Sequence, residues 1–104
     1  MQDILPDLDE WVGGDERIAL ATVVRTTGST PRPVGAKMAM LPSGKMAGSV
    51  SGGCLESDVF EEAMQVLETG VPRVLHYGIT DEMAWTVGLA CGGTVDLFVE
   101  ELLA

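Results

Sequence analysis

The sequence predicts an α+β fold: a single domain with a mixed β-sheet of about five strands, an N-terminal helix and one central helix. Three observations predict it. Behind a first helical segment, the elements read β-β-β-α-β-β along the chain. The hydrophobic fraction is 46%, which belongs to a globular fold and not to a disordered chain. At 104 residues, the chain is expected to hold one domain that buries roughly two-thirds of its unfolded surface, enough for a core without disulfide or metal staples.

Each element has a local cause. Over residues 3–13, Ile4, Leu5, Leu8, Trp11 and Val12 fall on one helical face. Asp3 is the expected cap, Pro6 suits the first turn, and Gly13-Gly14 end the helix. Arg17 to Arg25 is a mostly continuous apolar run and reads as a buried strand. Thr26 to Gly35 is loop by composition. Residues 36–41 and 46–50 flank Pro42-Ser43-Gly44-Lys45 and predict a hairpin. In the helix at 55–69, Leu55, Val59, Ala63, Val66 and Leu67 mark the buried face. Gly70 stops it and Pro72 prevents its continuation. Arg73 to Tyr77 is a short strand. One helical turn around Asp81 to Trp85 and then loop are expected in 78–90. Residues 94–100 form a strand in which Val95, Leu97 and Val99 alternate with Thr94, Asp96 and Phe98. The six methionines read as core filler, with Met38 and Met40 also candidates to line a pocket.

Composition excludes several classes of function. The longest apolar run, Ile18 to Val24 interrupted by Thr22, is too short to span a bilayer. The acidic start (Asp3, Asp7, Asp9 and Glu10) does not resemble a signal peptide. The expected location is therefore the cytoplasm, where thiols stay reduced. A net charge of −10 opposes nucleic-acid binding. The charge is unevenly distributed. Between Arg17 and Leu55 there is no Asp or Glu, while Arg17, Arg25, Arg32, Lys37 and Lys45 supply +5; the rest of the chain sums to −15. Such a basic, glycine-containing stretch is expected to receive a small anion.

The chemistry concentrates in a mirrored pair, Ser51-Gly52-Gly53-Cys54 and Cys91-Gly92-Gly93-Thr94, which holds both cysteines of the chain. Gly-Gly steps let bare backbone N–H groups approach a ligand, and the neighbouring thiol can present sulfur to the same place. Cys54 falls at a predicted helix start, where unpaired N–H groups and the helix dipole welcome an anion and lower a thiol pKa. Glu56 has three readings here: support of the helix start, an acid–base group, or a competitor of the ligand. In the proline-flanked loop, Ser29 and Arg32 offer donors to a phosphate or oxyanion. As plain structure, the same residues are glycine turns, small buried cysteines and a solvated arginine. The Walker and GxGxxG spacings are absent, so ATP and NAD sites are not supported. Two cysteines and His76 without a CxxC do not make a structural zinc site, and His76 reads as a strand residue.

Three strings, Thr27-Gly28-Ser29-Thr30-Pro31-Arg32-Pro33-Val34-Gly35-Ala36, Gly48-Ser49-Val50-Ser51-Gly52-Gly53-Cys54-Leu55-Glu56 and Gly88-Leu89-Ala90-Cys91-Gly92-Gly93-Thr94-Val95, resemble the N-terminal domain of the XdhC/CoxI proteins, the xanthine dehydrogenase accessory factors. They occur in family order, and the likeness runs from about Arg17 to Leu102. It implies one XdhC/CoxI-like domain over 1–104, without the Rossmann-like domain that commonly follows. It also implies a maturation factor for molybdenum hydroxylases of the xanthine or CO dehydrogenase type. The implied job is to bind molybdenum cofactor (molybdopterin), assist its sulfuration and pass it on. The implied partners are the apo-hydroxylase and a cysteine desulfurase, and self-association is expected. Gly52, Gly53, Cys54, Cys91, Gly92 and Gly93 are the signature positions the resemblance points to. Cys54 and Cys91 are then the expected molybdenum-facing thiols, because thiolates are soft ligands. Two other readings stay open: a thiol-based sulfurtransferase or redox protein, and a cofactor-free interaction or scaffold domain.

Overall fold

A computed structural model describes residues 4–27, 33–50, 55–77 and 94–102. In chain order the elements are α1 (Leu5–Val12), β1 (Ile18–Thr27), β2 (Lys37–Met40), β3 (Met46–Gly48), α2 (Glu56–Thr69), β4 (Arg73–Tyr77) and β5 (Thr94–Leu102). Among the described residues, the α+β class, the two helices and the five strands are as predicted. The turn expected at Asp81–Trp85 lies outside the described residues.

The strands form one sheet in the order β3-β2-β1-β5-β4. The expected mixed sheet is instead antiparallel in every ladder. The connectivity explains the correction. Pairs adjacent in sequence, β1–β2, β2–β3 and β4–β5, are also neighbours in the sheet and run antiparallel. The crossover through α2 joins β3 to β4, which run in the same direction but lie at opposite edges with three strands between them. A parallel ladder needs its two strands side by side. The longest pairing, β1 with β5, matches Ile18 with Leu102 at one end and Thr27 with Thr94 at the other, with a register shift between Val23 and Arg25.

The period-two side-chain alternation of the strands creates two cores. On one face, Ala19, Ala21 and Val23 of β1, Met38 and Met40 of β2, and Val95, Leu97 and Val99 of β5 pack against Val59, Ala63, Val66 and Leu67 of α2. Met38 and Met40 are fully buried there. Each fully buried Val or Leu contributes roughly 1.5–3 kcal/mol relative to exposure, so this layer dominates the packing energy. On the opposite face, Ile4 and Leu8 of the α1 region cover Ile18, Leu20, Ala39, Leu41 and Ala47. α1 reaches the β1–β2–β3 half of that face, while Val74 and His76 of β4 remain exposed.

The ends of the helices follow local chemistry. The position before α1 is Ile4, with no side-chain cap, and not the expected Asp3, which lies outside the described residues; proline at the helix start and Gly13 at the end are as predicted. Gly70 ends α2 in the left-handed conformation, with φ +75°, and its N–H donates to the Val66 carbonyl at 2.8 Å. Gly48 is required for two reasons. Its φ is +80°, and a Cβ there would meet the Lys37 carbonyl oxygen at 2.3 Å and Cγ2 of Ile4 at 2.5 Å.

Candidate functional site

Antiparallel topology brings the flanks of all three glycine-rich strings toward one end of the sheet. Thr27, the last residue of β1, pairs with Thr94, the first of β5. Tyr77, the last residue of β4, pairs with Val95 one step further along. Gly35 and Ala36 bond to Val23 through Gly35 N–H to the Val23 carbonyl (2.8 Å) and Val23 N–H to the Ala36 carbonyl (2.9 Å). β3 runs toward this end and stops at Gly48, opposite Met38. α2 then starts at Glu56 and runs back across β1 and β5. The tip of β1 extends past the β2–β3 hairpin, and the first turn of α2 connects the two levels through side chains.

Glu56 makes the first connection. Its Oε2 accepts hydrogen bonds from Ser49 Oγ at 2.7 Å and from Val50 N–H at 3.2 Å, and its Oε1 accepts from Leu55 N–H at 3.3 Å. Asp58 makes the second, accepting the phenolic proton of Tyr77 on its Oδ2. Tyr77 is 5% exposed. Burial, then the hydrogen bond to Asp58 and the nearby negative charge of Asp58 and Glu62, push its pKa well above the ordinary phenol range. At the other end of β4, Arg73 Nη1 donates to Glu62 Oε2 and to Gln65 Oε1, each at 2.8 Å. α2 is thus tied to the edge strand at both ends of that strand.

These contacts change the electrostatic expectation for the helix start. Two carboxylates, Glu56 and Asp58, occupy the first turn of α2. They complement the partial positive charge of the helix N-terminus themselves, which weakens its attraction for a further anion. The basic stretch is also divided by the sheet. Arg17 precedes β1 and Lys45 lies in the β2–β3 turn, both at the end away from Thr27. Arg17 Nε donates to Glu101 Oε2 at 2.8 Å. Lys45 shares a surface cleft of about 200 Å³ with Glu10, Asp15 and Glu16. Lys37 Nζ, nearer the glycine-rich end, donates to Thr22 Oγ1 at 2.9 Å. A charge sum along the sequence missed this separation because β1, ten residues and about 33 Å long, carries its two ends far apart.

Of the predicted site residues, Glu56 falls among the described residues. Ser29, Arg32, Ser51, Gly52, Gly53, Cys54, Cys91, Gly92 and Gly93 lie outside them. His76 sits on the exposed face of β4 with Nδ1 against Asp96 Oδ1 of β5, its register partner. A groove of about 300 Å³ between the β2–β3 turn and α2 is lined by Gly44, Met46, Ser57, Phe60 and Glu61, none of them predicted site residues. Sequence reasoning missed the Tyr77–Asp58 bond. An Asp in a first helical turn reads simply as a complement to the dipole, and no spacing rule connects it to a tyrosine nineteen residues away.

Residues 11–78 match the family model described as the XdhC and CoxI family. The chain belongs to that family. It is 31% identical over 97 residues to a probable xanthine dehydrogenase subunit of Bacillus subtilis (strain 168), covering 91% of this chain and 29% of that protein. It is 36% identical over 84 residues to the molybdenum cofactor insertion chaperone PaoD of Escherichia coli (strain K12), covering 80% of this chain and 26% of that protein. A crystal structure described as a xanthine dehydrogenase from Bacillus halodurans superposes with a TM-score of 0.81 at 34% identity, over 97% of this chain and 30% of that one. The chain thus spans less than a third of the length of each of these relatives. Among the described residues, no helix is long and apolar enough to cross a membrane.

Proposed function

We propose that this chain is the cofactor-binding part of an accessory factor for molybdenum hydroxylases, acting in the cytoplasm. In this reading it binds molybdenum cofactor, assists its sulfuration together with a cysteine desulfurase, and delivers it to an apo-hydroxylase, working as a homo-oligomer. The observation that carries the reading is the convergence of Thr27, Val50, Leu55, Tyr77 and Thr94 toward one end of the fold. These residues border the segments that hold Ser29 and Arg32, Ser51 to Cys54, and Cys91 to Gly93. The family relationship, and the designation of PaoD as a cofactor insertion chaperone, support the choice of ligand.

The donor set fits that ligand in kind. Bound molybdenum cofactor supplies a phosphate and a soft, sulfur-rich metal centre. Cys54 and Cys91 would face the metal, since thiolates match soft metals. Gly52, Gly53, Gly92 and Gly93 would admit it close to backbone N–H groups, with Ser51 beside them. Because Glu56 and Asp58 occupy the start of α2, phosphate recognition is assigned to Arg32 and Ser29 and not to the helix dipole. The test is the molybdenum and pterin content of the purified protein after co-expression with cofactor-synthesis enzymes. The wild type is expected to retain both, and a Cys54→Ala/Cys91→Ala double variant to lose most of the metal. Equal metal in the double variant removes the thiol role, and a wild type without pterin removes the whole reading.

A further inference from the structure

β3 is one edge of the sheet, and among the described residues β2 is its sole ladder partner. Facing residues of an antiparallel pair alternate between hydrogen-bonded and non-bonded. Leu41 N–H donates to the Lys45 carbonyl at 2.9 Å, so the next bonded residue of β3 is Ala47, opposite Ala39. The N–H and C=O of Met46 therefore point outward, along the open edge. Met46 lies opposite Met40, which is buried on the α2 side of the sheet, so the Met46 side chain is on that side too; yet it is 47% exposed. It forms one apolar wall of the groove of about 300 Å³ between the β2–β3 turn and α2. Phe60 forms the other, and Ser57 and Glu61 line the helix side. The helix side is acidic. Glu61 is exposed, and Glu68, about two turns on, is exposed on the same side of α2. Neither has a hydrogen bond or ion pair among the described residues. The described bases are placed elsewhere: Arg17 on Glu101, Lys37 on Thr22, Arg73 on Glu62, Arg25 opposite Asp96, and Lys45 in the cleft with Glu10. Counter-charge at this groove comes from another molecule.

We propose that the groove between β3 and α2 is a docking surface for an extended segment of a partner protein, which adds to β3 as a further strand and carries an apolar side chain between Lys or Arg residues. In strand addition, main-chain bonds supply affinity and a pocket for alternate side chains supplies specificity. The outward N–H and C=O of Met46 provide the first. The groove provides the second: every other side chain of the added strand faces α2, so an apolar one enters between Met46 and Phe60 while its basic neighbours on that face meet Glu61. A second copy of this chain is the poorer occupant, since it brings its own net charge of −10. β3 has three residues, so the contact is small and belongs to the transient class. The proposal stands on the edge, the groove and its charge, and does not depend on the cofactor reading.

The experiment uses the full chain and a capped heptapeptide with leucine at its centre, lysine two residues to either side and threonine elsewhere. When the peptide is extended, the leucine and both lysines share one face. Binding is read by titration of the protein's amide NMR shifts. The lysine peptide is expected to perturb Met46, Ser57, Phe60 and Glu61. It should bind on the order of tenfold more tightly than the same peptide with glutamates, by a margin that narrows as salt rises. Glu61→Lys, at an exposed position, should weaken the lysine peptide several-fold and remove most of its preference over the glutamate peptide, while the β1 and β5 amides keep their shifts. N-methylation of alternate peptide nitrogens should abolish binding in one register and leave it nearly intact in the other, because every second N–H of an added strand faces β3. Equal binding of the two peptides overturns the proposal, as do the absence of saturable shifts at the groove and equal effects of the two methylation patterns. A dimer in sedimentation that Met46→Lys converts to monomer assigns the groove to a second copy and overturns it too.

Discussion

The hydroxyl of Tyr77, at the last position of β4, donates to the carboxylate of Asp58 in the first turn of α2. This bond fixes the start of the central helix over the end of an edge strand, beside the point where the chain enters residues 78–93. Tyr77→Phe keeps the ring in the core and removes the donor. It leaves the half-buried Asp58 carboxylate without that partner, and a hydrogen bond to a charged group contributes about 2 kcal/mol. Urea denaturation of the Phe variant is expected to show a loss of that size with an unchanged m-value.

The same phenol yields a prediction for alkaline pH. Burial and Asp58 raise its folded-state pKa above the unfolded value of about 10. A group raised in this way contributes stability that is fully present below the unfolded pKa and is lost as pH rises toward the folded one. Stability is therefore expected to fall above about pH 10. Since Tyr77 is the single tyrosine, the tyrosinate absorbance at high pH reports on it alone. The absorbance should appear together with unfolding monitored by circular dichroism. A tyrosinate transition near the ordinary phenol pKa in a still-folded protein would contradict the buried, hydrogen-bonded placement.

Gly48 is expected to tolerate no side chain. The left-handed backbone alone costs a residue with a Cβ on the order of 1–3 kcal/mol. The added carbon would also press on the Lys37 carbonyl, which is backbone and cannot swing aside as a side-chain tip can. Gly48→Ala should lower the denaturation midpoint markedly, whereas Gly13→Ala, where a Cβ meets nothing within 4 Å, should change it little.

Arg17 and Glu101 join the start of β1 to the end of β5 through paired hydrogen bonds. The bond from Arg17, more than its charge, holds the Glu101 carboxyl below the ordinary glutamate range. A carboxyl depressed in this way adds stability above its unfolded pKa, about 4.3, and loses it as pH falls through the lower folded value. Arg17→Gln should return the NMR titration of the Glu101 carboxyl to the usual range. The effect on stability at neutral pH should be small, as for most solvent-exposed ion pairs.

Much of the fold was legible in local patterns. The 55–69 periodicity with Gly70 and Pro72 gave α2 nearly to the residue, and the alternation of Val95, Leu97 and Val99 identified the face of β5 that packs against it. The Pro-Ser-Gly-Lys turn marked the hairpin. These succeed because helix and strand periods, and the backbone preferences of glycine and proline, act over a few residues. The three glycine-rich strings and the family were legible as well.

The linear chain carries an inventory: which segments become strands or helices, which side chains are apolar enough to be buried, and where the unusual Gly-Gly-Cys chemistry lies. Which residues meet was settled by folding. Placing β5 between β1 and β4 made every ladder antiparallel, the length of β1 carried Arg17 and Lys45 away from the glycine-rich end, and the crossover through α2 brought Glu56 to Ser49 and Asp58 to Tyr77. Strand order and long-range hydrogen bonds are chosen by burying both faces of the sheet at once, a condition on the whole chain that no short window of residues contains.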